Sequence, residues 1–228
     1  MEKFFPSEKI LLTGNPVRQS LLDNQITRET AASAFGFNPN LKTVLVLGGS
    51  LGARTINQTL AAGLALMKAH PEVQFIWQTG KIYIDQVKAA ITAFTGEAVR
   101  NARVGSIPNL YVTDFIKNMN NAYTLADLVI SRAGAGSISE FCLLGKPVIL
   151  VPSPNVAEDH QTKNALALVN KDAALYVKDA EAQEKLLDTA LETVADDELL
   201  KQLSVNIAKL ALPDSARIIA EEVLKLIK

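Results

Sequence analysis

The sequence predicts a doubly wound, Rossmann-like α/β fold, a parallel sheet with helices on both faces. Two observations carry this. Short β-branched apolar runs alternate with stretches of helical periodicity, and the runs are apolar at nearly every position instead of every second one. A strand of that kind has both faces buried, as in a parallel sheet whose crossovers are helices.

Taken in order, strands are expected at 9–13 (KILLT), 43–48 (TVLVLG), 73–78 (VQFIWQ), 110–113 (LYVT), 127–131 (DLVIS), 147–152 (PVILVP) and 173–177 (AALYV). Helices are expected between them at 53–69, 82–94, 137–144 and 160–169. After residue 177 only helical periodicity remains, at 182–195, 199–211 and 214–228. The stretch LPDSAR supplies a proline break and a fresh N-terminus for the last helix. Its apolar Ile218, Ile219, Val223, Leu226 and Ile227 must pack on this sheet or on a neighbouring domain. The chain thus divides into a lead-in at 1–8, a sheet domain at 9–211 and a C-terminal helix at 212–228. The lead-in runs straight into a strand pattern, so the chain is expected to start in the middle of a longer protein.

Composition narrows the function. The 228 residues are 48% hydrophobic and 21% charged with a net charge of −1. This fits an ordinary globular domain and lacks the basic excess of a nucleic-acid binder. Cys142 is the only cysteine, which excludes an intrachain disulfide and a multi-cysteine metal site and fits a reducing compartment. His70 and His160 are the only histidines, so a multi-histidine metal centre is excluded too. No apolar run approaches the roughly 20 residues of a membrane-spanning helix, although peripheral attachment needs only an exposed patch. No Ser/His/Asp or Cys/His set stands out, and Cys142 within EFCLLGKP reads as helix packing.

In an open parallel sheet ligands bind beyond the carboxyl ends of the strands, so chemistry is sought in the turns that follow them. The first such turn is LGGSLGARTINQ, where Gly48, Gly49 and Gly52 permit close backbone approach and Ser50 offers a hydroxyl. Free N–H groups of the following helix make a seat for phosphate, and tight packing of a turn is an equally good explanation of the glycines. The dinucleotide pattern G-x-G-x-x-G fails, because Ser50 stands at the second glycine and the next strand ends WQTG without an acid. The second turn, SRAGAGSISE, holds Gly134 and Gly136. Ser137 and Glu140 have capping-box spacing, yet a carboxylate there also suits the vicinal hydroxyls of a ribose; spacing alone favours the cap.

The third turn, DFIKNM, carries Phe115 and Ile116, which can flank a planar base while backbone reads its edge, or simply be core. The fourth, NVAEDHQTKNA, gathers Asp159, His160, Gln161 and Asn164 at a helix start. Such groups suit sugar hydroxyls; alternatively Asp159 is an N-cap and the rest a solvated face.

Taken together, GNPVR (14–18), GGSLGAR (48–54), SRAGAGSISE (131–140) and EDHQTKNA (158–165) resemble the C-terminal half of the MurG family. Its members add GlcNAc to the lipid-linked muramyl-pentapeptide precursor of peptidoglycan. The resemblance implies the C-terminal half of a two-domain GT-B glycosyltransferase, with a domain at 9–211 that binds UDP-GlcNAc; no cofactor or metal is expected, since the residues offer no D-x-D pair to hold a divalent ion against a diphosphate. By the same resemblance Ser50 contacts the diphosphate, Ile116 bonds the uracil through its backbone and Glu140 takes the ribose hydroxyls. Arg18 lies near the base or phosphates, and His160 and Gln161 face the GlcNAc, although some members have a glutamine pair there. The catalytic base, the lipid acceptor's site and the membrane contact belong to an N-terminal domain without counterpart here. On this reading the chain is an excised donor domain with Met1 an added start, soluble alone, from an enzyme peripheral to the cytoplasmic side of the membrane. Two other readings stay open. One is a noncatalytic binding subunit active only beside a partner chain. The other is a UDP-GlcNAc 2-epimerase-like domain, disfavoured because Ser139 stands where that family's second acid would precede Glu140.

Overall fold

The computed structural model describes residues 5–22 and 25–227. Its strands are β1 (Lys42–Leu47), β2 (Val73–Gln78), β3 (Arg103–Val104), β4 (Ile107–Thr113), β5 (Leu128–Ser131), β6 (Val148–Leu150) and β7 (Leu175–Tyr176). They form one sheet in the order β3-β4-β2-β1-β5-β6-β7, parallel throughout except for the β3-β4 edge hairpin. The helices are α1 (Gln19–Leu22), α2 (Arg28–Phe35), α3 (Arg54–Ala62), α4 (Leu64–Ala69), α5 (Ile84–Thr95), α6 (Met119–Leu125), α7 (Ala135–Leu144), α8 (His160–Val169), α9 (Ala182–Ala195), α10 (Asp197–Ala208) and α11 (Ser215–Lys225).

Successive side chains of a strand point to opposite faces, and β1 shows the consequence. Val44 and Val46 join one core with Ile56 and Leu60 of α3, Ile91 of α5 and Leu186 of α9. Leu45 and Leu47 join the other with Phe35 of α2, Leu125 of α6, Phe141 of α7 and Ala165 of α8. The doubly wound expectation therefore holds. From β1 the chain winds outward through β2 to β4 on one side, and from β5 through β6 to β7 on the other. The adjacent ends of β1 and β5 are thus a topological switch point, where the first crossovers leave on opposite faces and open a crevice.

Several boundaries differ from expectation. The run at 9–13 is not a strand: Ser7–Lys9 is a single 3-10 turn and Leu11 and Leu12 are exposed. The segment instead lies along α7 and the α10–α11 linker, with Asn15 Nδ2 donating to Ser139 Oγ (3.0 Å) and Gly14 close to Ser215 and Leu212. The helix expected at 53–69 is broken at Gly63, which ends α3, leads into α4 and packs closely against the tip of the Leu187 side chain of α9. Helices α1, α2 and α6 and strand β3 were not among the expected elements. Of the lead-in at 1–8, residues 1–4, Met1 included, lie outside the described residues.

Candidate functional site

At the β1/β5 switch point, the backbone of the first glycine turn is shaped by its neighbours. Gly48 N–H donates to Gln78 O (2.9 Å), and a Cβ on Gly48 would sit 2.8 Å from the same oxygen. Gly49 and Gly52 adopt positive φ (74° and 84°), and a Cβ on Gly52 would meet Tyr83 Cδ2 at 2.3 Å and Thr79 O at 2.6 Å. Glycine at 48 and 52 is therefore demanded by close packing. The turn after β5 differs. Gly134 has an ordinary φ of −72°, and Cβ atoms on Gly134 and Gly136 would enter open space.

Helices α3 and α7 start from these turns, at the N-cap residues Ala53 and Gly134, and neither start carries a side-chain cap from that residue or an acid in its first turn. Their leading N–H groups and positive dipole ends face the crevice side. Arg132 adds a guanidinium held in place: Nη1 donates to Val151 O (2.9 Å) and Pro152 O (3.2 Å) and pairs with Asp179. Asp179 also accepts from Thr55 Oγ1 (2.8 Å), which ties the α3 start to the β5 turn.

A cavity of about 260 Å³ opens between the turns. Of the expected residues, Arg18, Gly48, Gly49, Ile116, Gly134 and Glu140 line it together. Ser50 is exposed on the same turn, and Gly52, Gly136, His160 and Gln161 also lie outside the lining. His160 opens α8 beyond β6, and Gln161 Oε1 accepts from Ser153 N–H (2.9 Å). Asp159 occupies the α8 N-cap position with a φ of 51°, but its carboxylate accepts from Thr162 Oγ1 (2.6 Å) and caps no backbone N–H. Asn164 Nδ2 donates to Ala133 O (3.1 Å). Ile116 is 5% exposed while neighbouring Phe115 is 50% exposed, so the pair divides between core and rim.

The capping-box expectation for Ser137 and Glu140 is corrected. α7 starts at Ala135, which puts Glu140 in its second turn. There Glu140 Oε2 accepts from the Tyr123 hydroxyl (2.7 Å) and Oε1 lies 3.6 Å from Arg18 Nη2. Its carboxylate faces the cavity.

Sequence reading missed Tyr123, Lys117 and Gln78, which also line the cavity. Gln78 was visible as the polar end of an apolar strand. Tyr123 gave no signal, since it sits 17 residues from its partner on a helix that periodicity did not reveal. Cys142 is buried among α7 packing and its thiol is pushed up to about 11 by burial, as its helix-packing assignment requires. Among the described residues no group of three or more His, Cys, Asp or Glu side chains is arranged to hold a metal. Among them, too, no helix is long and apolar enough to cross a membrane.

A larger cavity of about 400 Å³ lies elsewhere, between α7, α8 and the α10–α11 linker, with a mainly apolar lining that includes Ile138, Leu168 and Leu210. None of the turn glycines borders it.

Comparison with known proteins bears on the same region. Residues 43–218 match the family described as Glycosyltransferase family 28 C-terminal domain. Over 226 residues the chain is 69% identical to the Bacteroides fragilis protein named UDP-N-acetylglucosamine--N-acetylmuramyl-(pentapeptide) pyrophosphoryl-undecaprenol N-acetylglucosamine transferase. That match covers 99% of this chain and 57% of the relative, so the chain spans a little over half of the relative's length. Among solved structures, Acinetobacter baumannii MurG superposes with a TM-score of 0.68 at 25% identity, covering 90% of this chain and 55% of that one. A UDP-GlcNAc 2-epimerase from Neisseria meningitidis, at 18% identity and a TM-score of 0.64, covers 98% of this chain and 57% of its own; it shares the fold.

Proposed function

The chain belongs to the glycosyltransferase family 28 C-terminal domain family, and from that premise we propose that it is the UDP-GlcNAc-binding half of an enzyme transferring GlcNAc to undecaprenyl-diphospho-muramyl-pentapeptide. The observation that carries the reading is the 69% identity to the Bacteroides fragilis transferase across 99% of the chain. The crevice supports it physically, since the turn that leads into α3 and the start of α7 line one cavity with a carboxylate at its wall.

Under this reading the leading amides of α3 and α7 and the Ser50 hydroxyl receive the diphosphate, with Gly49, Gly134 and Gly136, where a Cβ would meet nothing, leaving room for it to approach the backbone, while Gly48 and Gly52 shape the first turn by their close packing. Arg18, beside Glu140, supplies a cation near the base or the phosphates. The Ile116 backbone reads the uracil edge, Glu140 accepts from the ribose hydroxyls, and His160 and Gln161 meet the GlcNAc. The acceptor's 4-hydroxyl attacks the anomeric carbon with inversion as UDP departs. The preset donors at the diphosphate stabilise the charge that builds on it. The acceptor, the base and the contact with the cytoplasmic face of the membrane belong to the part of the enzyme beyond this chain. Alone, the domain binds donor and does not turn it over.

Titration calorimetry of the chain with UDP-GlcNAc and UDP-glucose tests this. The expected result is measurable binding of both with UDP-GlcNAc the tighter, and absence of heat for any uridine nucleotide overturns the reading.

A further inference from the structure

The wall of the cavity contains a hydroxyl that the nucleotide reading leaves without a role. Tyr123 is 3% exposed on α6, its ring meets Phe141 edge-on (centroids 6.2 Å apart, planes at 79°), and its hydroxyl donates to Glu140 Oε2 at 2.7 Å. We infer that Tyr123 is a positioning residue that fixes the Glu140 carboxylate for a vicinal diol, and so sets how strongly the site prefers a ribonucleotide over its 2′-deoxy counterpart.

The last torsion of a glutamate is broad, so an unsupported carboxylate would rotate and present its oxygens at no fixed angle. A carboxylate has about four lone-pair positions, and a phenol on Oε2 occupies one while holding the group's plane. Oε1 and the second lone pair of Oε2 remain for two adjacent hydroxyls. Arg18 approaches only Oε1, at 3.6 Å, and its side chain is 61% exposed, so it can leave that oxygen to a ligand. Burial and the adjacent Glu140 charge hold the Tyr123 phenol far above its ordinary titration range. It therefore remains a neutral donor, and proton transfer is not its task.

This inference rests on the nucleotide reading, and the experiment separates the two. UDP and 2′-deoxy-UDP are titrated into the full 228-residue chain and into Tyr123→Phe and Glu140→Gln, with thermal midpoints measured alongside. The phenylalanine keeps the ring against Phe141 and removes one oxygen. The unaltered chain is expected to prefer UDP, and Tyr123→Phe to weaken UDP by about tenfold, the scale of one hydrogen bond to a charged group. 2′-Deoxy-UDP should be weakened much less, so that the preference shrinks toward that of Glu140→Gln. A purely structural role for Tyr123 would weaken both nucleotides equally and overturns the inference, as does Tyr123→Phe with its preference intact. Equal binding of UDP and 2′-deoxy-UDP by the unaltered chain removes the diol role of Glu140, and with it this inference. If no UDP binds, the nucleotide reading itself fails.

Discussion

The indole N–H of Trp77 donates to Asn57 Oδ1 at 2.8 Å, and Asn57 Nδ2 donates in turn to Thr79 O at 2.8 Å. All three residues are buried. The chain of bonds pins the first turn of α3 to β2 and to the loop against which Gly48 and Gly52 pack. Asn57→Leu leaves the indole N–H and a carbonyl buried without partners, which costs about 2–4 kcal/mol. Urea unfolding followed by the fluorescence of Trp77, the one tryptophan, checks this; an unchanged midpoint contradicts it.

The two glycine turns should respond to alanine in opposite ways. At Gly52 the added methyl meets Tyr83 and a carbonyl on a backbone of positive φ, so Gly52→Ala is expected to lower stability by about 2–4 kcal/mol. At Gly134 the methyl enters open space on an ordinary φ, so stability should change by no more than about 0.5 kcal/mol. Nucleotide affinity should nonetheless fall in Gly134→Ala, because the methyl occupies the approach to the α7 amides. Thermal unfolding paired with calorimetry checks both halves, and full affinity in Gly134→Ala removes that turn from the site.

At the far end of the sheet Asp127 organises a polar cluster. Arg28 Nη2 donates to Asp127 Oδ2 at 2.8 Å and Nη1 to Oδ1 at 3.3 Å, and the Thr43 N–H reaches Oδ2 at 2.8 Å. The other guanidinium bonds go to carbonyls of Pro39, Leu41 and Leu125. Asp127→Ala strands a partly buried cation and is expected to cost about 2–4 kcal/mol, less than a fully buried pair because water still reaches it. Nucleotide affinity measured well below the melting temperature should remain, since the cluster is at the opposite end of the strands from the cavity.

Lys146 gives a pH-dependent test. Burial pushes it down to about 8 from 10.5, partly offset by Asp127, while its ammonium donates to Ala126 O at 2.9 Å. Between those two pH values the unfolded chain binds the proton and the folded chain does not, so raising the pH favours the folded state. Below pH 8 both hold it and the contribution is level. The stability of the unaltered chain minus that of Lys146→Met should therefore rise from pH 7.5 to pH 10.5, by up to about 3 kcal/mol. Denaturant titrations across that range check it, and a flat difference contradicts it.

What could be read from sequence followed the range of the interaction. β2 falls where its apolar run ends, and α8 and α9 match their expected limits, because these are set by local periodicity and by the two buried faces of the sheet. The run at 9–13 misled because apolarity alone does not supply a neighbour: β3 and β7 take the edges of the sheet, and the segment lies against helices instead. The break at Gly63 was not legible either, and the side chain that packs on it, Leu187, lies more than a hundred residues away. Helix α6 is polar at its start and went unseen, although Asn118 caps it by accepting from Asn121 N–H.

The candidate site divides in the same way. Glycine turns after strands, and Glu140 in a spacing with two explanations, were visible. That Glu140 sits in the second turn and does not cap α7 required the observed start of that helix, and its bond to Tyr123 is a tertiary fact that no spacing announces. Gln161 illustrates the converse, since its side chain bonds the Ser153 amide in a contact that the spacing of its turn does not announce.

On the proposed function, amide groups at the starts of α3 and α7 receive a diphosphate. The most direct measurement is an amide-resolved NMR titration of the isotopically labelled chain with UDP. Saturable shifts are predicted for Gly49, Ser50 and Arg54 on one turn and for Ala135, Gly136 and Ser137 on the other, with Ile116 moving in step. Shifts confined to the larger cavity between α7 and α8, at Leu168 and Leu210, with both turns unmoved, would contradict the account.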